Sequence, residues 1–168
     1  MKKRISSVLF IGTGNSVRSI LAESILNCEF GDRFLGFSAG EAPTGNVHPV
    51  ALNLLKTKGH DTSYLRSKSW REFATFDALR FDFAFTLSEQ ALQERHPLWN
   101  GRPITAHWGF PDPAAVNGTE SDQFAAFECV YRLIYDSISK FVSLQLSASD
   151  DNCLKSQVRE IGREMAFS

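Results

Sequence analysis

With 168 residues, of which 43% are hydrophobic and 22% charged, the chain has enough apolar material for one domain over residues 1–168. Its formal net charge of −1 creates no field that would attract nucleic acid or an anionic membrane, so we expect neither as a partner. The apolar run at residues 5–11 is too short for a membrane span, and three cysteines do not make a disulfide framework. A cytoplasmic location is the simplest expectation.

Strands and helices alternate along the chain. Residues 8–11 predict a buried strand, and apolar residues at helical spacing from Val17 to Cys28 predict a first helix. Further strands are predicted at 34–40, 81–87 and 103–108, and further helices at 47–58, near 73, at 88–95, after a cap at Thr119, and over 154–165. This order predicts an α/β fold in which a four-stranded parallel sheet carries helices on both faces.

The segment between the first strand and the first helix carries the most specific chemistry. Its small residues place several backbone N–H groups at a helix N-terminus, where the helix dipole also favours an anion. Gly14 and Asn15 tolerate the positive φ that such a nest of amides requires. Arg18 could then close a bidentate fork on a tetrahedral oxyanion. The residues predicted to bind the anion are Gly12, Thr13, Gly14, Asn15, Ser16, Val17, Arg18 and Ser19.

Other phosphate loops fit this segment less well. It begins like a dinucleotide fingerprint, but Val17 stands where the third glycine belongs, and Ser38-Ala39-Gly40 ends the second strand without an acidic residue. A Walker loop would need Gly-Lys followed by Ser or Thr, which is absent. Taken alone, the segment could also be a plain glycine turn between strand and helix.

The segment resembles the signature loop of the low-molecular-weight protein tyrosine phosphatases and of the thioredoxin-coupled arsenate reductases that share their fold. In that loop a cysteine is followed by five residues, arginine and serine, and Thr13-Gly14-Asn15-Ser16, Arg18 and Ser19 match. The resemblance extends through residues 21–23, 38–40, 67–70 and 112–113. It implies the same fold and a ligand such as phosphate, sulfate or arsenate, and we expect no cofactor.

Three positions depart from the sulfur chemistry of that family. The resemblance places the nucleophilic cysteine of the family at Gly12, and the two further redox cysteines of the arsenate reductases at Ser88 and His96. The resemblance places the general acid at Asp112, although an aspartate before Pro113 could simply start a turn. Residues 114–116 lack the tyrosines that the phosphatases tend to have there, which places the chain nearer to the arsenate reductases.

We therefore expect an oxyanion-binding protein with impaired catalysis, in which Arg18 is the clamp and Asp112 a vestigial acid. One alternative is an active phosphatase or arsenate reductase that uses another nucleophile, such as an activated water. A second alternative is a protein–protein regulatory module that keeps the pocket as a scaffold, with a partner that the sequence does not name. Arg66 and Lys68 could be a basic rim of the site or a solvated basic loop.

The remaining cysteines and histidines suggest no further chemistry. Cys28 and Cys129 lie on predicted helix faces and are expected in the core, and Cys153 has no local partner. We expect no metal site, because the spacing of the histidines is not that of metal ligands: His48, His60, His96 and His107. The final helix either docks on the sheet, as we expect, or forms a surface for a partner.

Overall fold

The computed structural model describes residues 4–144, 146 and 150–166, so the two ends of the expected domain lie outside the described residues. Its sheet has four parallel strands in the spatial order β2-β1-β3-β4. The strands are β1 (Ser6–Gly12), β2 (Phe34–Gly40), β3 (Phe83–Thr86) and β4 (Ile104–His107). The predicted four-stranded parallel sheet is confirmed.

Five α-helices and two short 3-10 helices complete the described part of the chain. The α-helices are α1 (Arg18–Phe30), α2 (Pro49–Thr57), α3 (Glu89–Gln93), α4 (Glu120–Val142) and α5 (Asp151–Ala166). The 3-10 helices cover Trp70–Phe73 and Pro113–Ala115. None of these helices is long and apolar enough to cross a membrane.

Two predicted elements are shorter in the structure, for local reasons. The third strand was predicted from residue 81, but β3 begins at Phe83. The Phe81 amide donates to the Asn100 carbonyl oxygen at 2.9 Å and so does not join the hydrogen bonds of the sheet. The short helix predicted at residues 88–95 begins after Ser88, whose side chain accepts from the Ala91 amide as an N-cap. It ends at Gln93, because Glu94 has already adopted an extended backbone.

The central strand β1 is buried on both sides, because its alternate residues enter two different apolar clusters. Val8 and Phe10 belong to the larger cluster, which contains side chains of α1, α2, α4 and α5. Leu9 and Ile11 belong to the smaller one, which contains Ala91 of α3 and the aromatic residues Trp70, Phe73, Phe81 and Trp99. The expectation of helices on both faces is confirmed, with one face covered far more heavily than the other.

The last helix docks on the edge strand β4, as expected. Leu154, Val158 and Ile161 are buried in the larger cluster, and the Trp108 Nε1–H donates to the Val158 carbonyl oxygen at 2.9 Å. Gly162 lies so close to β4 that a Cβ atom added there would overlap the carbonyl oxygen of His107. A glycine is thus needed for this close approach.

The prediction that Cys28 and Cys129 lie in the core is wrong, since both are exposed and unpaired, as is Cys153. The buried part of α1 ends at Leu26, and the last turn emerges into solvent. On α4 the residues on either side of Cys129 in the apolar stripe, Phe127 and Val130, face the core. At about 100° per residue, Cys129 points away from that stripe.

Candidate functional site

The loop from Thr13 to Val17 leaves the sheet at the place where parallel α/β folds usually bind ligands. β1 lies between β2 and β3, so the chain moves to one side of β1 first and to the other side later. The carboxyl ends of β1 and β3 therefore carry loops that diverge in opposite directions, and a crevice opens between them. The loop runs directly into the N-terminus of α1, which begins at Arg18.

Carbonyl groups of the loop are tied outward to the segment before α2. The oxygens of Thr13, Gly14 and Ser16 accept from the backbone amides of residues 42, 44 and 48 at 3.1, 3.0 and 3.0 Å. The Ser67 hydroxyl also donates to the Gly14 carbonyl oxygen, at 3.1 Å. Because these three carbonyl groups point out of the loop toward the 42–48 segment, the N–H groups of the loop are not used in these contacts.

No hydrogen-bond acceptor for the N–H groups of residues 13–17 is found in the part of the chain that the structure describes. Asn15 has the left-handed backbone expected for such a loop, with a φ of 46°, whereas Gly14 does not. The result is a run of free amides at a helix N-terminus, an arrangement suited to binding an anion.

The side chain of Asn15 anchors the loop from below. Its Nδ2 group donates to Ser19 Oγ and to Ser38 Oγ, both at 2.9 Å, and its Oδ1 atom accepts from the Lys68 amide at 2.9 Å. Asn15 is only 2% exposed, so all three bonds are shielded from water. This network joins α1, the end of β2 and the 66–69 segment beneath one residue of the loop.

A buried ion pair supports this network. Lys68 Nζ lies 3.7 Å from Glu23 Oε2, donates to the Arg66 carbonyl oxygen at 3.0 Å, and lies 3.4 Å from Ser38 Oγ. The Ser38 hydroxyl in turn donates to Glu23 Oε2 at 2.5 Å. Lys68 is therefore neither a basic rim nor a solvated cation, because it lies beneath the loop. Arg66 is exposed and forms a two-bond pair with Glu72.

Burial dominates the titration of both partners. It raises the pKa of Glu23 above its ordinary value, and the charge of Lys68 opposes that shift. Burial likewise lowers the pKa of Lys68, and the charge of Glu23 opposes it. The pair therefore supports the loop indirectly, through Ser38, which contacts both Glu23 and Asn15.

Position 12 faces the interior of the loop. A Cβ atom added at Gly12 would lie 3.0 Å from Ser19 Oγ and 4.0 Å from the Asn15 amide nitrogen. A side chain at this position would thus begin beside Ser19, which would have to move by a few tenths of an ångström, and near the free amide of Asn15.

The structure brings Arg18 next to the loop that contains Asp112. Arg18 Nη1 donates to the Phe110 carbonyl oxygen at 2.9 Å, and the charge of Asp112 raises the pKa of Arg18 against a larger lowering by burial. Arg18 lines a cavity of about 460 Å³ together with residues at the start of α3, at the end of β4 and just after it, and on α5: Ser88, Glu89, Gln90, His107, Gly109, Phe110, Pro111 and Gly162. Asp112 Oδ1 accepts from the Ala114 amide at 3.0 Å and so also starts the 3-10 helix that follows.

The segment around α3 contacts the other side of the loop through a residue that sequence reasoning missed. Thr13 Oγ1 donates to Glu94 Oε1 at 3.0 Å, and burial raises the pKa of Glu94. His96 Nε2 donates to the Ala91 carbonyl oxygen at 2.6 Å, with its ring against Trp70. Ser88 and His96 therefore have structural contacts of their own, whereas nothing in the local sequence pattern indicated Glu94.

Comparison with known proteins identifies the family. Residues 7–152 match the family model for low molecular weight phosphotyrosine protein phosphatase. An arsenate reductase of Bacillus licheniformis is 32% identical over 135 residues, which are 80% of this chain and 94% of the relative. An arsenate reductase solved in the phosphate-binding state superposes with a TM-score of 0.61 at 22% identity, covering 81% of this chain and 98% of the other.

A low molecular weight protein tyrosine phosphatase from T. tengcongensis superposes equally well, with a TM-score of 0.61 at 24% identity over 80% of this chain and 99% of the other. The sequence resemblance and the fold are thereby confirmed together, and arsenate reductases and tyrosine phosphatases both stand among the relatives. The chain belongs to the low molecular weight phosphotyrosine protein phosphatase family.

Proposed function

We propose that this protein binds a tetrahedral oxyanion, namely phosphate, sulfate or arsenate, in the loop Gly12–Ser19 and lacks the thiolate-dependent turnover of its family. In this proposal the free amides hold the anion, Arg18 clamps it and Asp112 is a vestigial acid. A cytoplasmic location, and the absence of a cofactor, nucleic acid or membrane partner, are parts of the same proposal.

The observation that carries the proposal is the set of free N–H groups at residues 13–17. The carbonyl groups of Thr13, Gly14 and Ser16 in the same loop already accept hydrogen bonds from the 42–48 segment. The loop is thus held in place, and its amides do not need to rearrange before they meet an anion. The N-terminus of α1 adds its positive dipole end at the same place. The relative solved in a phosphate-binding state has the same fold, which supports an oxyanion as the ligand.

Glycine at position 12 supports the loss of turnover. A thiolate there would lie close to the anion, and two unit charges ~4 Å apart interact by roughly 4 kcal/mol at an effective dielectric constant near 20. Gly12 removes both this repulsion and the nucleophile. None of the three cysteines, Cys28, Cys129 and Cys153, belongs to the loop and could replace the nucleophile. Ser19 Oγ accepts a hydrogen bond from the side-chain amide of Asn15, and no general base activates its hydroxyl among the described contacts.

Thr13 and Glu94 favour a second candidate function. The Thr13 hydroxyl next to Gly12 donates to a carboxylate whose pKa is raised by burial, and such a carboxylate could act as a general base toward a water molecule. In this reading the protein is a slow hydrolase without a covalent nucleophile.

Anion binding is tested by thermal unfolding in phosphate or sulfate against chloride at matched ionic strength. We expect both oxyanions to raise the melting temperature of the protein, and Arg18→Ala to abolish the shift. Arg132→Ala is the matched control, because Arg132 lies on α4 with its side chain 73% exposed. A melting temperature that tens of millimolar oxyanion leaves unchanged would overturn the proposal.

Turnover is tested on the same preparations. Loss of a covalent nucleophile commonly costs on the order of 10⁶ in rate, so hydrolysis of an aryl phosphate and thioredoxin-coupled reduction of arsenate should both be at background. Hydrolysis that survives extensive purification and disappears in both Arg18→Ala and Glu94→Gln would instead establish the second candidate.

A further inference from the structure

A buried histidine, His60, contacts the second half of α1, away from the helix N-terminus where the proposed anion loop, residues 12–19, lies. His60 follows Gly59, whose φ of 82° ends α2, and the His60 amide donates to the Leu55 carbonyl oxygen at 3.0 Å. The residue is 5% exposed and its side chain is fully covered. The backbone and the burial together hold the imidazole in one place.

One ring nitrogen of His60 has a fixed partner and the other faces two oxygen atoms. Nδ1 lies 2.8 Å from Ser24 Oγ, and the tautomer that donates from Nδ1 leaves a lone pair on Nε2. In that tautomer Nε2 accepts from the Tyr131 hydroxyl at 3.2 Å, a hydrogen bond that a metal ion on Nε2 would replace, and it lies 3.7 Å from Glu29 Oε1. An imidazole held through its other nitrogen in this way is the usual state of a histidine metal ligand.

The last turn of α1 brings two more ligand types to this nitrogen. Cys28 follows Ser24 by one helical turn and so lies on the same side of α1, and Glu29 is its neighbour. One ligand atom from each of Cys28, Glu29 and His60 lies within 4.8 Å of the other two. This turn also carries the negative end of the helix dipole, which favours a cation.

We propose that Cys28, Glu29 and His60 form a binding site for Zn²⁺, separate from the anion loop. Sulfur, imidazole nitrogen and carboxylate oxygen are the donors that zinc takes, whereas calcium and magnesium take oxygen ligands. Binding releases the proton of the Cys28 thiol, and the resulting thiolate and the Glu29 carboxylate balance the charge of the metal ion.

The geometry needs only a small contraction. Zinc–ligand bonds of about 2.0–2.3 Å in a tetrahedron place the ligand atoms roughly 3.3–3.8 Å apart. Cys28 and Glu29 are exposed and can change rotamer, while His60 stays fixed. Three protein ligands leave a fourth position for water. The bound metal ion would tie the end of α1 to the residue that follows α2.

The test uses the full chain, stripped with a chelator and titrated with Co²⁺ and then with Zn²⁺. We expect one equivalent of Co²⁺ to give a thiolate-to-cobalt charge-transfer band that Zn²⁺ displaces. Cys28→Ser should abolish the band, and Glu29→Gln should weaken Zn²⁺ binding by at least about tenfold. The matched controls are Cys129→Ser and Cys153→Ser, since both cysteines are also exposed on helices.

A second variant addresses the role of the buried ring without removing it. Ser24→Ala deletes the partner of Nδ1 and should weaken Zn²⁺ binding by roughly 10–100-fold, while circular dichroism shows the fold retained. The proposal is overturned if the unchanged protein gives no charge-transfer band with Co²⁺. It is equally overturned if the band persists in Cys28→Ser, or is lost in either control instead.

Discussion

The proposed loss of turnover concerns one residue, Gly12, which has no side chain where the resemblance places the family's nucleophilic cysteine. A Cβ atom at this position would lie 3.0 Å from Ser19 Oγ and 4.0 Å from the Asn15 amide nitrogen, which is one of the free N–H groups of the loop. Amides and a helix N-terminus depress the pKa of a thiol, so a cysteine introduced at position 12 should become a thiolate.

Gly12→Cys should therefore give weak hydrolysis of a small aryl phosphate. It should not give thioredoxin-coupled arsenate reduction, because Ser88 and His96, which the resemblance places at the two further redox positions, have no sulfur to pass the oxidation on. Both activities are measured side by side, with Gly12→Ala as the control that adds the Cβ atom without sulfur. Gly12→Cys with Asp112→Asn tests the acid. If Gly12→Cys binds phosphate yet hydrolyses none, the missing thiol at position 12 does not by itself explain the absence of turnover.

Also at the residue scale, the Glu23–Lys68 pair makes a prediction about pH. The folded-state pKa of Glu23 is raised above 4.5, so over the window just above pH 4.5 the folded state holds more protons than the unfolded state. The free energy of unfolding that Glu23 contributes must then fall as pH rises through that window.

Glu23→Gln removes this titration. The free energy of unfolding of the unchanged protein minus that of Glu23→Gln should decrease as pH rises from about 4.5 to 7, measured by urea unfolding at each pH. Lys68 acts in the same direction. Without the Glu23 carboxylate, burial lowers the pKa of Lys68 further, so the variant becomes more stable as pH rises and the difference decreases. A difference that stays constant or grows with pH would contradict this account of the pair.

At the scale of elements, the contact between α5 and β4 depends on a glycine. In an exposed helix interior, Gly→Ala stabilises by about 1 kcal/mol. At Gly162 the added methyl group would overlap the His107 carbonyl oxygen and lie 3.0 Å from Trp108 Cδ1, so the helix must move away from the strand.

Gly162→Ala should therefore destabilise the protein, by about 1–3 kcal/mol as is usual for overpacking. Denaturant unfolding measures the change, and Ser156→Ala at an exposed position of α5 is the control. A gain in stability near the full helix propensity would mean that α5 does not rest on β4 in solution.

The bounds of elements were predictable where the local pattern decides them. β2 has the predicted bounds 34–40, and Thr119 caps α4 through a capping box with Asp122. Errors arose where a distant partner intervenes. The Asn100 carbonyl oxygen accepts from the Phe81 amide, which keeps Phe81 out of β3. Cys28 is exposed because the buried part of α1 ends at Leu26.

For the whole molecule, the order of strands and helices was enough to predict the fold class, because alternation leaves few topologies for a parallel sheet. The loop of residues 12–19 could also be recognised from the sequence, because a glycine-rich turn between a strand and a helix is one contiguous segment. The contacts of Lys68, Glu94 and His60 were not predictable, because each of these residues meets its partner across 36 or more residues: Glu23, Thr13 and Ser24. Periodicity carries no information at that distance.

The three hydrogen bonds that hold the loop carbonyls to the 42–48 segment have a further consequence, which concerns entropy. Fixing the backbone of one flexible residue costs about 1–2 kcal/mol, and a disordered loop would incur that cost for each residue when its ligand arrives. Here folding has already ordered residues 13–17 from both sides, through these bonds and through Asn15. If an oxyanion binds as we propose, it would need to supply little conformational free energy, and its affinity would reflect mainly the exchange of its hydration shell for the amides.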